Sequence, residues 1–440
     1  MINKTEARKI CLKALSYVKE GQAEIMLDQR VSPLTRIANN SIHQNVEVAD
    51  VSISLRVDIG DRSGRATTNQ FDEGSLKKLA RQAAEAARAI GVDQGLPTMA
   101  KPQRYRPMKG YSEATAFVEP GKRAAMVKKA VALARRSKAE LAGLVSNTGN
   151  VHAMANSRGL FAYHRQTSAT MEITARQGLA AGRAEQTARS IGKIDPAKVA
   201  RAAIAKCLGS VKPRELEPGT YTVILEPEAA ATPLQFMAWL AFGAQSVQEG
   251  TSCLSGKIGK KLFGPNVTIT DDAFHPKMNW SQPFDYEGIP KKKVVIVDKG
   301  VVKTPVYDQK TAAKEGRKTT GHGLPQPNTF GPFPINLVLK GGKTTLEQMI
   351  KSTKRGVLVT RFWYNRVVDR KVPVITGMTR DGTFLIENGK VVCGVKNMRF
   401  NQNLVEFFNS VEALGPAEAK EGMVVPAMKV RDFHFTGRTE

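Results

Sequence analysis

Between Glu24 and Gln70 the chain reads EIMLD (24–28), SIHQNVEV (41–48), DVSISLRVDI (50–59) and GRATTNQ (64–70), with Asn and Gly at the breaks. Apolar and polar residues alternating at period two, punctuated by turn formers, predict successive strands of a meander. A helix is expected on each side of it. Over Lys4–Lys19, Ala7, Cys11, Ala14, Leu15 and Val18 fall on one face, and Asn3 with Glu6 has the spacing of a capping box. Asp72 caps the second helix, where Leu76, Leu79, Ala83, Ala86 and Ile90 recur at helical intervals.

The same order returns after a proline-bearing connector, Gly95–Gly110. A helix over Gly121–Ser137 turns Ala124, Val127, Val131 and Ala134 inward, strands run from Leu141 to Ser190, and Asp195-Pro196 opens another helix. Asn40-Ser41 corresponds to Asn156-Ser157 at an offset of 116, and Gly64-Arg65 to Gly182-Arg183 at an offset of 118. The first 212 residues therefore read as a duplicated α/β domain, with units of about 1–92 and 120–211. Two such sheets can pair edge to edge and share one layer of helices.

Lys212–Thr220, KPRELEPGT, mixes proline, glycine and charge after a finished helix and marks the start of a second domain, 219–440. There the pattern changes to the strand YTVILEP, an apolar helix over about 228–243, and many short strands: NVTITDD, KKVVIVDKG, VVKTPVYD, NLVLKGG, GVLVTRFW and GTFLIENGKVVCGV. A late helix near Leu404–Leu414 and a closing strand around Met428–Phe435 follow. The expected fold is α+β: helix, meander and helix twice, then a mostly antiparallel β domain with a few helices, in barrel or twisted-sandwich form.

With 440 residues, 41% hydrophobic and 24% charged, the composition excludes a disordered or fibrous chain. The longest apolar run, LQFMAWLAFGA (Leu234–Ala244), is too short to span a bilayer, and the charged first twenty residues lack the centre of a secretion signal. No membrane association is expected, and the cytoplasm is the default location. Cys11, Cys207, Cys253 and Cys393 have no metal or disulfide spacing. The formal charge of +26 gathers in residues 101–200, with 18 basic and 6 acidic side chains, and in 351–400, with 11 and 3. Such an excess attracts nucleic acid or acidic peptides at long range. Aromatic residues suited to stacking bases are sparse in 101–200, so nucleic acid is not the expected partner. Lys291-Lys292-Lys293 reads as a guard on a strand edge.

The closest of the six histidines, His152 and His164, are twelve residues apart, so no HExxH or HExxxH exists. A GxSxG elbow, a Walker A loop and a strand-linked GxGxxG are also absent. Cys253 or Ser255, with His275 or His322 as base, is the remaining nucleophile candidate, weighed against the commoner structural role of lone cysteines and serines.

Four segments of the second half resemble the TldD/PmbA family in order and separation: GTSCLSGKIG (250–259), KTTGHG (318–323) with Pro325, Pro327 and Asn328, RGVLVTRFW (355–363) and LIENGK (385–390). The resemblance covers nearly the whole chain. It implies dimeric cytoplasmic assemblies in which a zinc peptidase branch uses an HExxxH helix and a later cysteine on peptides or partly unfolded chains. Here the corresponding helix reads PLQFMAWLAFGAQ, and Gln235, Phe236 and Leu240 fall at or within a residue of the two His and the Glu. The segment after the last helix, GPAEAKEGMVVP, has no cysteine, and Cys393 comes too early.

The likeness is closer to the metal-free PmbA (TldE) branch. It implies no cofactor in this chain and no catalytic or metal-binding residues, with zinc only in a TldD-like partner. Pairing with that partner, or with a second copy of this chain, is expected, as is an extended peptide as substrate, held by main-chain hydrogen bonds along a sheet edge. Thr320, Gly321, His322, Asn328, Thr360 and Arg361 are the expected peptide-groove or interface residues. The alternatives are a stand-alone metallopeptidase with relocated ligands and a basic nucleic-acid-binding protein.

Overall fold

The computed structural model describes residues 1–420 and 422–438. Its first part runs α1 (Lys4–Leu15), β1 (Gln22–Ala38), β2 (Ser41–Ile59), β3 (Arg62–Thr68), α2 (Glu73–Ala89), α3 (Glu113–Ala116), α4 (Pro120–Arg136), β4 (Glu140–Asn156), β5 (Phe161–Gln177), β6 (Ala180–Ala188) and α5 (Pro196–Gly209). The capping signals act where the sequence places them: Asn3, Asp72 and Asp195 accept from backbone N–H groups in the first turns of α1, α2 and α5. α1 ends at Leu15, four residues earlier than expected.

Strand order β3-β2-β1-β4-β5-β6 joins two antiparallel meanders edge to edge through β1 and β4. Each meander has three strands, and in the first the sequence suggested four shorter ones. SIHQNVEV and DVSISLRVDI form the single strand β2, because Ala49 and Asp50 continue the ladder opposite Val31 and Arg30. β1 also carries Pro33, a residue without an N–H to donate, at the point where pairing with β4 skips from Val31↔Gly149 to Leu34↔Ser146.

Side-chain alternation gives the six-stranded sheet two unlike faces. One packs Ile25, Leu27, Ile53, Leu55, Val151 and Ala153 under α1 and α2, and Leu141, Val145, Met171 and Ile173 under α4 and α5. The other, in β4, presents Leu144, Ser146, Thr148 and Asn150 to a cleft.

The second part comprises β7 (Gly219–Leu225), α6 (Pro227–Leu240), α7 (Ala244–Gln248), β8 (Ile269–Asp271), β9 (Val294–Asp298), β10 (Val301–Val302), α8 (Gln309–Lys314), β11 (Leu337–Leu339), α9 (Leu346–Lys351), β12 (Arg355–Asp369), β13 (Val374–Glu387), β14 (Lys390–Gly394), β15 (Met398–Asn403), α10 (Leu404–Asn409), β16 (Val411–Lys420) and β17 (Met423–Arg438). The pairings β7–β12, β12–β13, β13–β15, β15–β17 and β17–β7 close a ring, a barrel in which each of the five strands is paired on both sides over part of its length. Two pairings are parallel, β7–β12 and β11–β17, and the rest are antiparallel. The barrel core stacks Phe362, Phe400 and Phe433 at centroid distances of 4.6–5.6 Å.

α10 stops at Asn409, short of the Leu414 expected, because the residues after Ser410 form β16 against β17. Lys291 is no edge guard: it is buried, and its ammonium donates to Asn336 Oδ1 at 3.1 Å, while Lys292 and Lys293 stay exposed.

The two parts are tied by polar contacts on several sides: Arg183 with Glu228 at 2.8 Å, Lys206 with Glu226 at 2.5 Å, Lys310 with Asp93 at 2.8 Å, and Arg65 Nε to Gln326 O at 2.5 Å. Between these ties the cleft stays open. Among the described residues no helix is long and apolar enough to cross a membrane.

Candidate functional site

The cleft has a volume of about 1290 Å³, above the usual range for drug-sized ligands. Its floor is the polar face of the first sheet, where Ser32, Ser146, Thr148, Asn150, Ser168 and Thr170 line up on β1, β4 and β5. At about 3.3 Å per residue and 4.8 Å between strands, this floor measures roughly 20 by 14 Å, room for about six extended residues. The floor strands β1, β4 and β5 are paired on both sides, so they offer hydroxyls and amides but no free backbone.

α6 forms the roof. Its buried side, Leu234, Met237 and Ala238, packs on the barrel, which leaves Ala231, Thr232, Gln235, Phe236 and Trp239 towards the cleft. Leu240 faces a smaller hollow of about 230 Å³ behind α6, which Trp239 also lines. Of the three positions where the family resemblance leads one to expect an HExxxH, Gln235 and Phe236 meet the cleft, and they supply an amide and a phenyl ring. Among the described residues no three His, Cys, Asp or Glu side chains gather in a metal-binding group. This donor set does not fit a catalytic zinc.

One wall is ionic. Arg183 on β6 binds Glu172 and Glu228 at 2.8 Å and Glu185 at 3.3 Å, and Lys420 lies 4.0 Å from Glu185. Burial opposes the Arg183 charge, but Glu228 and Glu172 outweigh it and hold its pKa above the ordinary value. Burial also raises the Glu185 carboxyl, against the pull of Lys420.

The facing wall is the run Arg361–Arg366 of β12. β7 pairs with β12 only as far as Val359, so beyond it one flank of β12 has no strand partner among the described residues. Six consecutive residues, both odd and even, line the cleft because this flank faces it. A bulge between Trp363 and Arg366 holds Tyr364 at φ +56°, a left-handed conformation that costs a bulky residue energy. Arg361 pairs with Asp381, and its Nε is buried without a hydrogen-bond partner. Trp239, Trp280 and Trp363, the three tryptophans of the chain, all line the cleft.

Of the residues expected in a peptide groove or at an interface, Arg361 alone lines this cleft. His322 is buried, its Nε2 lies 2.9 Å from Asp271 Oδ1, and its Nδ1 is 2.9 Å from the Thr320 hydroxyl. It is not among the residues that line the cleft. Gly321, at φ +77°, lets the loop pass within van der Waals range of Pro290 and Lys291. Asn328 folds its turn by accepting from Phe330 N and donating to Gly331 O, and Thr360 is buried with an unpartnered hydroxyl. The nucleophile candidates are not assembled: burial raises the Cys253 thiol to about 12, and Ser255 donates to Val247 O. The tryptophan convergence and the bulge were missed in the sequence; the scarcity of tryptophan was the only available signal.

Comparison with known proteins agrees with this architecture. A family profile described as PmbA/TldA metallopeptidase C-terminal domain matches residues 218–437, and one for domain 1 of the same metallopeptidases matches residues 23–87. The chain belongs to the PmbA/TldD family. An uncharacterized protein of Methanocaldococcus jannaschii is 24% identical over 416 residues, spanning 93% of this chain and 95% of that protein. The metalloprotease PmbA of Escherichia coli O157:H7 is 26% identical over 212 residues, 48% of this chain and 44% of that protein. The crystal structure of TldE from Thermococcus kodakarensis superposes with a TM-score of 0.87 at 21% identity, covering 98% of this chain and 99% of that one. A Thermotoga maritima protein described as a putative modulator of a DNA gyrase gives 0.87 at 20% identity, covering 98% and 100%. At these identities the two solved structures establish the shared PmbA/TldD fold.

Proposed function

We propose that this chain is a non-catalytic, TldE-like subunit that works in the cytoplasm beside a zinc-bearing TldD-like peptidase and helps to enclose peptides or unfolded chains. The observation that carries this reading is the cleft-facing side of α6, where Gln235 and Phe236 stand in place of a metal ligand and a general base. A phenyl ring neither binds zinc nor takes a proton from water, so hydrolysis is assigned to the partner. The free flank of β12 beyond Val359 supports an extended peptide as the ligand, since an unpaired strand edge can take on another strand regardless of its sequence.

Co-expression with a TldD-like subunit tests the reading. A joint peak on gel filtration, peptidase activity higher with this chain than without it, and less than stoichiometric zinc in the isolated chain are expected. Unchanged partner activity with no complex, or one zinc per isolated chain with peptide turnover, would overturn it.

A further inference from the structure

The β12–β13 wall of the cleft combines features not required for enclosing a substrate. Trp363 is 42% and Tyr364 64% exposed, although large rings are normally turned inward. The guanidinium of Arg361 lies 4.9 Å from the Trp363 ring centroid, that of Arg380 lies 5.0 Å from it, and that of Arg366 lies 4.6 Å from the Tyr364 ring. Cation–π contact keeps these guanidinium groups beside the rings. Of the three guanidinium groups two reach a single carboxylate, Asp381, which pairs with Arg361 and lies 3.9 Å from Arg380. Among the described residues Arg366 has no carboxylate within ion-pair distance, so two positive charges stay uncompensated beside two exposed rings. The buried, unpartnered Nε of Arg361 adds a donor without an acceptor. The wall opposite is nearly compensated by contrast, with Glu172, Glu185 and Glu228 set against Arg183 and Lys420.

We infer that this wall is a selective peptide subsite: it takes an extended segment in which an aromatic side chain lies next to a carboxylate, the ring against Trp363 and Tyr364 and the carboxylate on Arg366. Arginine is suited to this, because its planar group can stack on a ring and still bind a carboxylate through its edge. The inference rests on the peptide-handling reading above and adds side-chain preference to main-chain recognition. It also gives the basic excess of residues 351–400 a local role.

All three tryptophans line the cleft, so the intrinsic fluorescence of the isolated full-length chain reports occupancy by tryptophan-free peptides. The probes are Ser-Gly-Phe-Glu-Phe-Glu-Gly-Ser, an analogue with Lys for each Glu, and an analogue with Ala for each Phe. The expected result is binding of the first at least tenfold tighter than of either analogue, with the advantage over the Lys peptide shrinking as salt rises. Arg366→Glu, a change at an exposed site, should reverse the preference between the Glu and Lys peptides. Trp363→Ala should weaken the first peptide about tenfold, and Trp363→Phe should hold it within threefold.

Equal affinity for the three peptides, an Arg366→Glu variant with the original preference, or quenching by a neutral oligosaccharide but by none of the peptides would overturn the inference. Because no partner subunit is present, selective binding without complex formation would leave the subsite standing while the subunit reading fails.

Discussion

Gly64 and Gly182 occupy equivalent places in the two halves of the duplication. A Cβ built on Gly64 would lie 2.1 Å from Ala87 N and 2.4 Å from Ala83 O of α2, and one on Gly182 would lie 2.3 Å from Cys207 N and 2.4 Å from Ala203 O of α5. In both halves the closing helix rests directly on the edge strand of its meander, so hydrogen is the only side chain that fits. The next residues, Arg65 and Arg183, point to the opposite face, where each binds a glutamate and reaches the second half of the chain.

Gly64→Ala and Gly182→Ala are each expected to destabilise the fold by about 1–3 kcal/mol, because the obstacle is helix backbone, which cannot rotate aside. Gly121→Ala in α4, where a Cβ meets nothing within 4 Å, should be neutral or slightly stabilising. Urea denaturation of the three variants against the parent measures the contrast.

Replacing Arg183 by Met should cost about 3–5 kcal/mol, since it leaves Glu172, Glu185 and Glu228 facing one another with their shared cation gone. Converting Glu185 and Glu228 to Gln in the same chain should restore part of the loss. A thermal melt of the single and triple variants separates this charge effect from lost packing.

The Phe433 side chain packs against Phe362, Phe400, Phe407 and Phe435 inside the barrel. Phe433→Ala should lose about 3–5 kcal/mol, the cost of burial plus the cavity left behind, and Phe433→Leu clearly less. Denaturant midpoints give both values.

A pH dependence follows from the buried acids below the loop at 320–327. Asp285 accepts from Gly323 N and Glu287 accepts from the Gln326 amide. Burial raises Asp285 to about 6, and burial, with Asp285 and Asp308 close by, lifts Glu287 well above the carboxylate range. Acids with raised pKa values favour the folded state in their protonated form. Their contribution is complete below about pH 4 and is lost as pH climbs through 6 and above. Asp271, held low by His322 against its own burial, has the opposite sign, and its contribution is lost only as pH falls below the ordinary aspartate range. Stability should therefore decline from about pH 5 to 7, and Glu287→Gln should flatten the decline. Melting temperatures across that range for both proteins provide the check.

The sequence located most of the elements because their signals are local. Asn3, Asp72 and Asp195 cap helices through bonds to residues two or three positions away, and the Gly-Arg pairs mark the repeat by spacing alone. The strand count failed for a related reason: Pro33 and the polar run in 41–50 look like breaks, yet the neighbouring strands β2 and β4 carry the ladder past them. His322 and Lys291 look like surface residues in their own segments, and only distant partners, Asp271 and Asn336, make it favourable to bury them.

By itself the sequence determined the duplicated helix–meander–helix plan, the β-rich second half and the absence of an HExxxH motif from α6, since periodicity, caps and residue identity are properties of short stretches. The tertiary structure alone decided that a hydroxyl-lined sheet face, an apolar helix and a bulged strand enclose one cleft, and that Trp239, Trp280 and Trp363 meet there. Those residues lie up to 124 positions apart. Their meeting depends on the polar ties between the two halves and on β7 releasing β12 after Val359, which no local pattern encodes.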